Sequence, residues 1–91
     1  MIKDVSFGGI LREIRMRSKE TLRQYSLKRG FDCGNVSKLE RNLISPPNTR
    51  RQLMRYLEGL TYSDFEFELL RTAAINYKIG LSVRRFNQEF E

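Results

Sequence analysis

Three Ser/Thr-x-x-Gln/Glu spacings stand where a helix can begin: Thr21 to Gln24, Thr49 to Gln52 and Ser63 to Glu66. Each reads as a capping box, in which the hydroxyl accepts from the backbone N–H three residues on and the Gln or Glu side chain returns to the cap's own N–H. A chain that opens helices at 21, 49 and 63 is confined to short ones over most of its length. With 91 residues it can bury one modest core and no second domain.

The apolar spacing fills in the rest. Phe7, Ile10, Leu11 and Ile14 fall at i, i+3, i+4 and i+7, the stripe of an amphipathic helix ending around Ser18. Leu22 and Tyr25 are the inward residues of a second helix that starts at the Thr21 box. Gly30 stands where a helix stop needs positive φ, and Asp32 is the N-cap of a third helix after a tight turn. On that helix, from about Cys33 to Asn42, Val36, Leu39 and Leu43 share one side. Gly34, Ser37, Lys38 and Arg41 project from the other, with Asn35 and Asn42 beside them. Pro46 and Pro47 end the region. A fourth helix from Thr49 is expected to bury Leu53, Leu57 and Leu60, and a fifth to run from Ser63 to about Tyr77. The expected fold is therefore all-α with five short helices over residues 1–80. Residues 81–91, "LSVRRFNQEFE", are left as a tail for dimerisation or partner contact.

Charge narrows the function. Seventeen Lys and Arg against eleven Asp and Glu give a net +6, which points to a polyanionic partner. Residues 1–42 hold ten basic and five acidic side chains, net +5, and residues 43–91 hold seven and six, net +1. The first half is thus the binding half, and the acidic interval from Glu58 to Leu70 is expected to lie away from a polyanion. A single cysteine and no histidine leave no metal-ligand set and no intramolecular disulfide. No phosphate-cradling glycine loop or nucleophile elbow is present, and Glu66 and Glu68, two apart on a helix, do not converge as an acid–base pair. The chain is read as neither an enzyme nor a cofactor protein. It has no visible leader or membrane span, which makes a cytoplasmic location the expectation, with no membrane partner. The aromatic residues Tyr62, Phe65, Phe67, Tyr77, Phe86 and Phe90 sit in or beside the acidic region and are read as core or dimer seam.

The stretch "FGGILREIRMRSKETLRQYSLKRGFDCGNVSKLERNLISPP" resembles the Cro/C1-type helix-turn-helix family of phage-repressor-like DNA-binding domains. The likeness rests on Leu-Arg-x-x-Arg in the first helix, a threonine-started second helix, and Ser-x-x-Glu-Arg in the third before prolines. It covers roughly residues 7–60, with "GFDCGNVSKLERN" its most specific part. The chain departs from the family pattern at Leu22, Ser26, Arg29 and Asn42, where a glutamine, an alanine, an apolar residue and a glycine are usual.

The resemblance implies a compact five-helix lambda-repressor-like domain whose third helix enters the major groove of double-stranded DNA. Base-edge contacts would come from Cys33, Gly34, Asn35, Ser37 and Lys38. The two small residues Gly34 and Ser37 allow close approach, and Asn35 offers the donor and acceptor that match adenine. Arg12, Arg17, Arg23, Lys28 and Arg41 are the expected phosphate contacts. Arg15 and Glu40 match positions that pair across the first and third helices, a structural ion pair. The implied activity is that of a homodimeric transcriptional regulator, a repressor in the family's usual role, on a palindromic operator. Within it, phage-type repressor, restriction-modification controller and antitoxin holding a toxin protein stay open. A protein-interaction module on the same scaffold and a charge-driven RNA or membrane-surface binder are the rivals from other classes.

Overall fold

The computed structural model describes residues 6–90, with side chains for residues 6–77. Five helices follow in order: α1 (Phe7–Arg17), α2 (Leu22–Arg29), α3 (Cys33–Glu40), α4 (Arg50–Leu57) and α5 (Asp64–Phe90). Among the described residues there is no strand.

Local chemistry sets each start. Ser6 caps α1 by accepting from the Gly9 N–H at 3.1 Å. At α2 the box closes both ways: the Gln24 N–H donates to Thr21 Oγ1 at 3.1 Å, and the Thr21 N–H donates to Gln24 Oε1 at 2.9 Å. Asp32 caps α3 through the Asn35 N–H, and Thr49 caps α4 through the Gln52 N–H. Ser63 and Glu66 exchange backbone-to-side-chain bonds of 3.1 and 2.9 Å ahead of α5. Such caps are each worth about 1 kcal/mol, and together they phase eight-residue helices that would not form alone.

The stops are equally local. α2 ends on Gly30 at φ +70°, and the turn that follows α3 places Asn42 at φ +61°, a left-handed position that asparagine tolerates better than most residues. The Asn42 side chain also reaches back to α1, where its Oδ1 accepts from the Gly8 N–H at 2.9 Å and its amide donates to Ser6 Oγ at 2.9 Å. This turn also explains why Leu43 departs from the wheel. The helix has already ended at Glu40, so residue 43 is out of phase and 60% exposed, while Ile44 takes up the half-buried position.

α1 is the central element, packed on both α3 and α5, and α2 packs on α3. Phe7, Ile10, Leu11 and Ile14 of α1 meet Tyr25, Val36, Leu39, Leu53, Leu57, Leu60, Phe67 and Leu70 in one buried cluster. Each full aliphatic burial contributes about 1.5–3 kcal/mol. Tyr62 stacks on Phe67, with ring centroids 6.4 Å apart, so part of the expected aromatic set is core. Phe65 points outward, and the side chains of Phe86 and Phe90 lie outside the described residues.

α5 exceeds the expected end at Tyr77. It runs 27 residues, through Gly80 and the segment expected as a tail. One interior glycine costs a helix only about 1 kcal/mol relative to alanine, and no proline intervenes. Within the described residues no helix is long and apolar enough to cross a membrane.

The close approach of α1 to the end of α3 depends on Gly8. A Cβ there would run into the Glu40 carbonyl oxygen and stand 2.5 Å from that of Leu39, both backbone atoms with nowhere to go. Gly8→Ala is expected to lower stability by about 1–3 kcal/mol through overpacking. Gly34→Ala, where the nearest atom is a cap carboxylate oxygen at 3.2 Å, is expected to be much milder. Thermal melts of the two variants check the contrast.

Candidate functional site

The site is built on α3, whose burial divides it cleanly. Val36, Leu39 and Glu40 turn inward, and Gly34, Asn35, Lys38 and Arg41 are exposed, with Ser37 half-buried at the margin and Cys33 exposed at the amino end. Gly34, Lys38 and Arg41 recur at i, i+4 and i+7, so they form one continuous strip. Among the described residues, the Asn35 side chain and the Lys38 ammonium meet no intramolecular partner, and the Arg41 Nε donates to the Ser37 carbonyl at 3.3 Å. The strip thus offers a neutral amide and two cations that no described carboxylate holds.

Beneath it lies a buried ion pair. Arg15 of α1 donates from Nε to Glu40 Oε2 at 2.6 Å and from Nη2 to Glu40 Oε1 at 2.9 Å, a bidentate fork. Its remaining Nη1 donates to the Glu20 carbonyl at 2.8 Å, which ties the α1–α2 turn into the same group. The hydrogen bonds from the Arg15 guanidinium to Glu40 hold it more firmly protonated than usual, against the desolvation that opposes it. Arg15 and Glu40 therefore set the pitch of α3 against α1 and are withdrawn from any surface role.

The remaining basic residues separate into committed and uncommitted groups. Arg17 is held by Glu66 at 2.8 and 2.9 Å and by the Thr61 carbonyl, which clamps α1 to the start of α5. Lys28 is held by Glu20 at 2.8 Å. Arg12 and Arg23 are exposed and carry no ion pair among the described residues. Of the ten residues singled out in the sequence for DNA contact, the structure brings Cys33, Gly34, Asn35, Ser37 and Lys38 together on α3, with Arg41 at its C-cap. It leaves Arg12 and Arg23 uncommitted on α1 and α2, and places Arg17 and Lys28 in salt bridges.

Two features are not legible from sequence pattern alone. Arg29, with its side chain only 4% exposed, stacks over the Tyr25 ring at 4.1 Å and donates to Glu20 at 3.0 Å and to the Tyr25 and Glu58 carbonyls. A partial signal exists, since an arginine stands where the resembling family has an apolar residue. Burial meanwhile pushes the Tyr25 hydroxyl well above its ordinary range, and it donates to the Tyr56 carbonyl. The second feature is α4, whose Arg50, Arg51 and Arg55 are all exposed. Arg50 lies over Phe67 at 5.0 Å and Arg55 over Phe31 at 5.1 Å. Phe31 in turn stacks on Tyr56 with centroids 4.5 Å apart.

Among the described residues no cluster of His, Cys, Asp and Glu could hold a metal ion. No family model matches the chain, and no curated protein or solved structure matches it significantly.

Glu40→Ala is expected to cost about 3–5 kcal/mol, because it leaves Arg15 buried without a counter-charge. Chemical denaturation checks this. A pH dependence follows from Glu20 and Glu66. The hydrogen bond from Lys28 to Glu20, and that from Arg17 to Glu66, hold each carboxyl below its ordinary range. Folding lowers both values, so their stabilising effect is complete above the unfolded carboxylate range near about 4.3 and is lost as pH falls through the folded values. Glu20→Gln and Glu66→Gln are expected to melt lower than the parent at neutral pH and to converge on it in acid, as a pH series of thermal melts would reveal.

Proposed function

We propose that the chain is a sequence-specific double-stranded DNA-binding protein of the Cro/C1-type helix-turn-helix kind, a cytoplasmic homodimeric transcriptional regulator. In this reading α2 and α3, joined through Gly30, are the helix-turn-helix, and α3 is the helix that enters the major groove. The supporting observation is the exposed α3 strip. There Asn35 and Lys38 meet no partner among the described residues, while Glu40, the one acidic residue of that helix, is buried and neutralised by Arg15. A helix that hides its carboxylate and presents an amide, small residues and cations is fitted to a groove lined by acceptors and flanked by phosphates.

Roles then follow from chemistry. Gly34, with Cys33 and Ser37, lets the helix backbone approach the base edges. Asn35 pairs with a base, adenine being the match to its donor and acceptor. Lys38 reads guanine or meets phosphate, and Arg41, Arg12 and Arg23 neutralise phosphates. Arg17 and Lys28 contribute less, because each must first release a carboxylate. Two copies related by a two-fold axis would read half-sites about one helical turn apart.

Selection of bound sequences from a random duplex pool tests the reading. A palindromic consensus is expected, and absence of enrichment at every salt concentration would sink it. The variants are expected to differ in kind. Asn35→Ala should lose roughly 1–3 kcal/mol on the selected site and little on random DNA. Lys38→Ala and Arg41→Ala should weaken both by similar factors, and should make the slope of log affinity against log salt shallower by about one for each phosphate no longer neutralised. All three side chains are exposed, so melting temperatures should stay within about two degrees of the parent.

A further inference from the structure

Two helix faces meet over a cavity of about 250 Å³ that opens between the start of α4 and the middle of α5. On α4, Arg50 and Leu53 lie three residues apart. On α5, Phe67, Arg71 and Ala74 follow at steps of four and three, with Ile75 beside them, so each helix turns one side toward the space. Leu53 and Phe67 are core residues, 3% and 7% exposed, and form the floor. Ala74 is half-buried, and Ile75 stays 47% exposed at the margin.

The charge around this floor is of one sign, since among the described residues the lining holds two guanidiniums and no carboxylate. Arg50 is exposed and has no carboxylate partner among the described residues; its guanidinium lies 5.0 Å from the centroid of the Phe67 ring. Contact with a ring face leaves the N–H donors of a guanidinium available to an acceptor. Arg71 is shared with Glu68, whose one carboxylate oxygen accepts at 2.8 and 3.0 Å, an exposed pair of little net worth. One positive charge is therefore left uncompensated beside the cavity, which matches a single negative charge. The floor, by contrast, gives water no hydrogen-bonding partner and favours an apolar group. An apolar cavity of about 150 Å³ accommodates benzene, so about 250 Å³ takes a body of that bulk together with an acid arm. A polyanion would meet Arg50 and leave the floor unfilled.

We propose that this cavity is a binding site for a compact apolar monocarboxylate. The carboxylate accepts from Arg50 and Arg71, and the apolar body covers Leu53, Phe67, Ala74 and Ile75. None of the lining residues belongs to the α3 strip, so the site stands independently of the DNA reading.

The test uses the full chain without DNA. Calorimetric titration with phenylacetate is expected to give one site per chain, with a dissociation constant of about 1 mM or below. Phenylacetamide, of the same shape but uncharged, should bind at least about tenfold more weakly. Acetate and inorganic phosphate, which lack the apolar body, should not displace the acid. Hexanoate, titrated in the same way, tells whether a chain or a ring is the preferred body. Arg50→Gln should weaken phenylacetate at least about tenfold and leave phenylacetamide unchanged. Ala74→Leu, which fills the floor, should abolish binding of both. Arg51→Gln removes an exposed cation of the same helix that lies outside the lining, and should stay within about twofold of the parent. Arg50 and Arg51 are both exposed, so their variants keep the fold even if Ala74→Leu does not. No saturable heat up to about 10 mM, equal affinity for acid and amide, or equal losses at 50 and 51 overturns the proposal. So does binding that appears only where dilution has dissociated the chain's own oligomers, which would assign the cavity to a second copy. Because no DNA is present, every one of these outcomes leaves the reading of α3 untouched.

Discussion

The fork between Arg15 and Glu40 is the constraint on which the arrangement of helices depends. Two hydrogen bonds of 2.6 and 2.9 Å fix α3 to α1, and the third arm of the same guanidinium holds the α1–α2 turn through the Glu20 carbonyl. Glu20 then uses its carboxylate on Lys28 and Arg29. Three helices and two turns are thus indexed to one another by a small network of charges. A hydrophobic cluster tolerates sliding, because any apolar contact resembles its neighbour, whereas a bidentate pair has one geometry. The pair's value lies in that definition more than in net stability, since desolvating both partners consumes much of what their attraction returns.

The same network decides which charges are left for a partner. Glu20, Glu40, Glu66 and Glu68 are each engaged by a cation, while Arg12, Arg23, Lys38 and Arg41 meet no carboxylate among the described residues. The net charge of +6 is therefore not spread as a uniform coat. Among the described residues its uncommitted part is concentrated on α1 to α3 and on α4, where Arg50 and Arg51 add cations that a count of charge by halves discounts.

The parts of this architecture legible in the sequence are those specified within four or five residues. Thr21, Asp32, Thr49 and Ser63 cap helices because a short polar side chain sits beside an unpaired N–H, and nothing distant changes that. Gly30 and most of the buried cluster are legible for similar reasons of φ and period. Leu43 departs from expectation because a wheel extrapolates a helix beyond its end. The burial of Arg29 is not legible, because it depends on Glu20, Tyr25 and the Glu58 carbonyl arriving from elsewhere. The reach of α5 is concealed because Gly80 and the β-branched and aromatic residues after it have modest helix propensity.

The way the α4 arginines are held has a practical corollary. Arg50 and Arg55 lie against the rings of Phe67 and Phe31, and Arg29 against that of Tyr25. Attraction to a ring face at such short range is little weakened by dissolved ions, and a buried carboxylate–guanidinium fork is shielded in the same way. Attraction to a polyanion, by contrast, collapses as salt rises. Concentrated salt is therefore expected to leave the helices in place while it releases a polyanion held as proposed above, so that release and unfolding are separate operations at the bench.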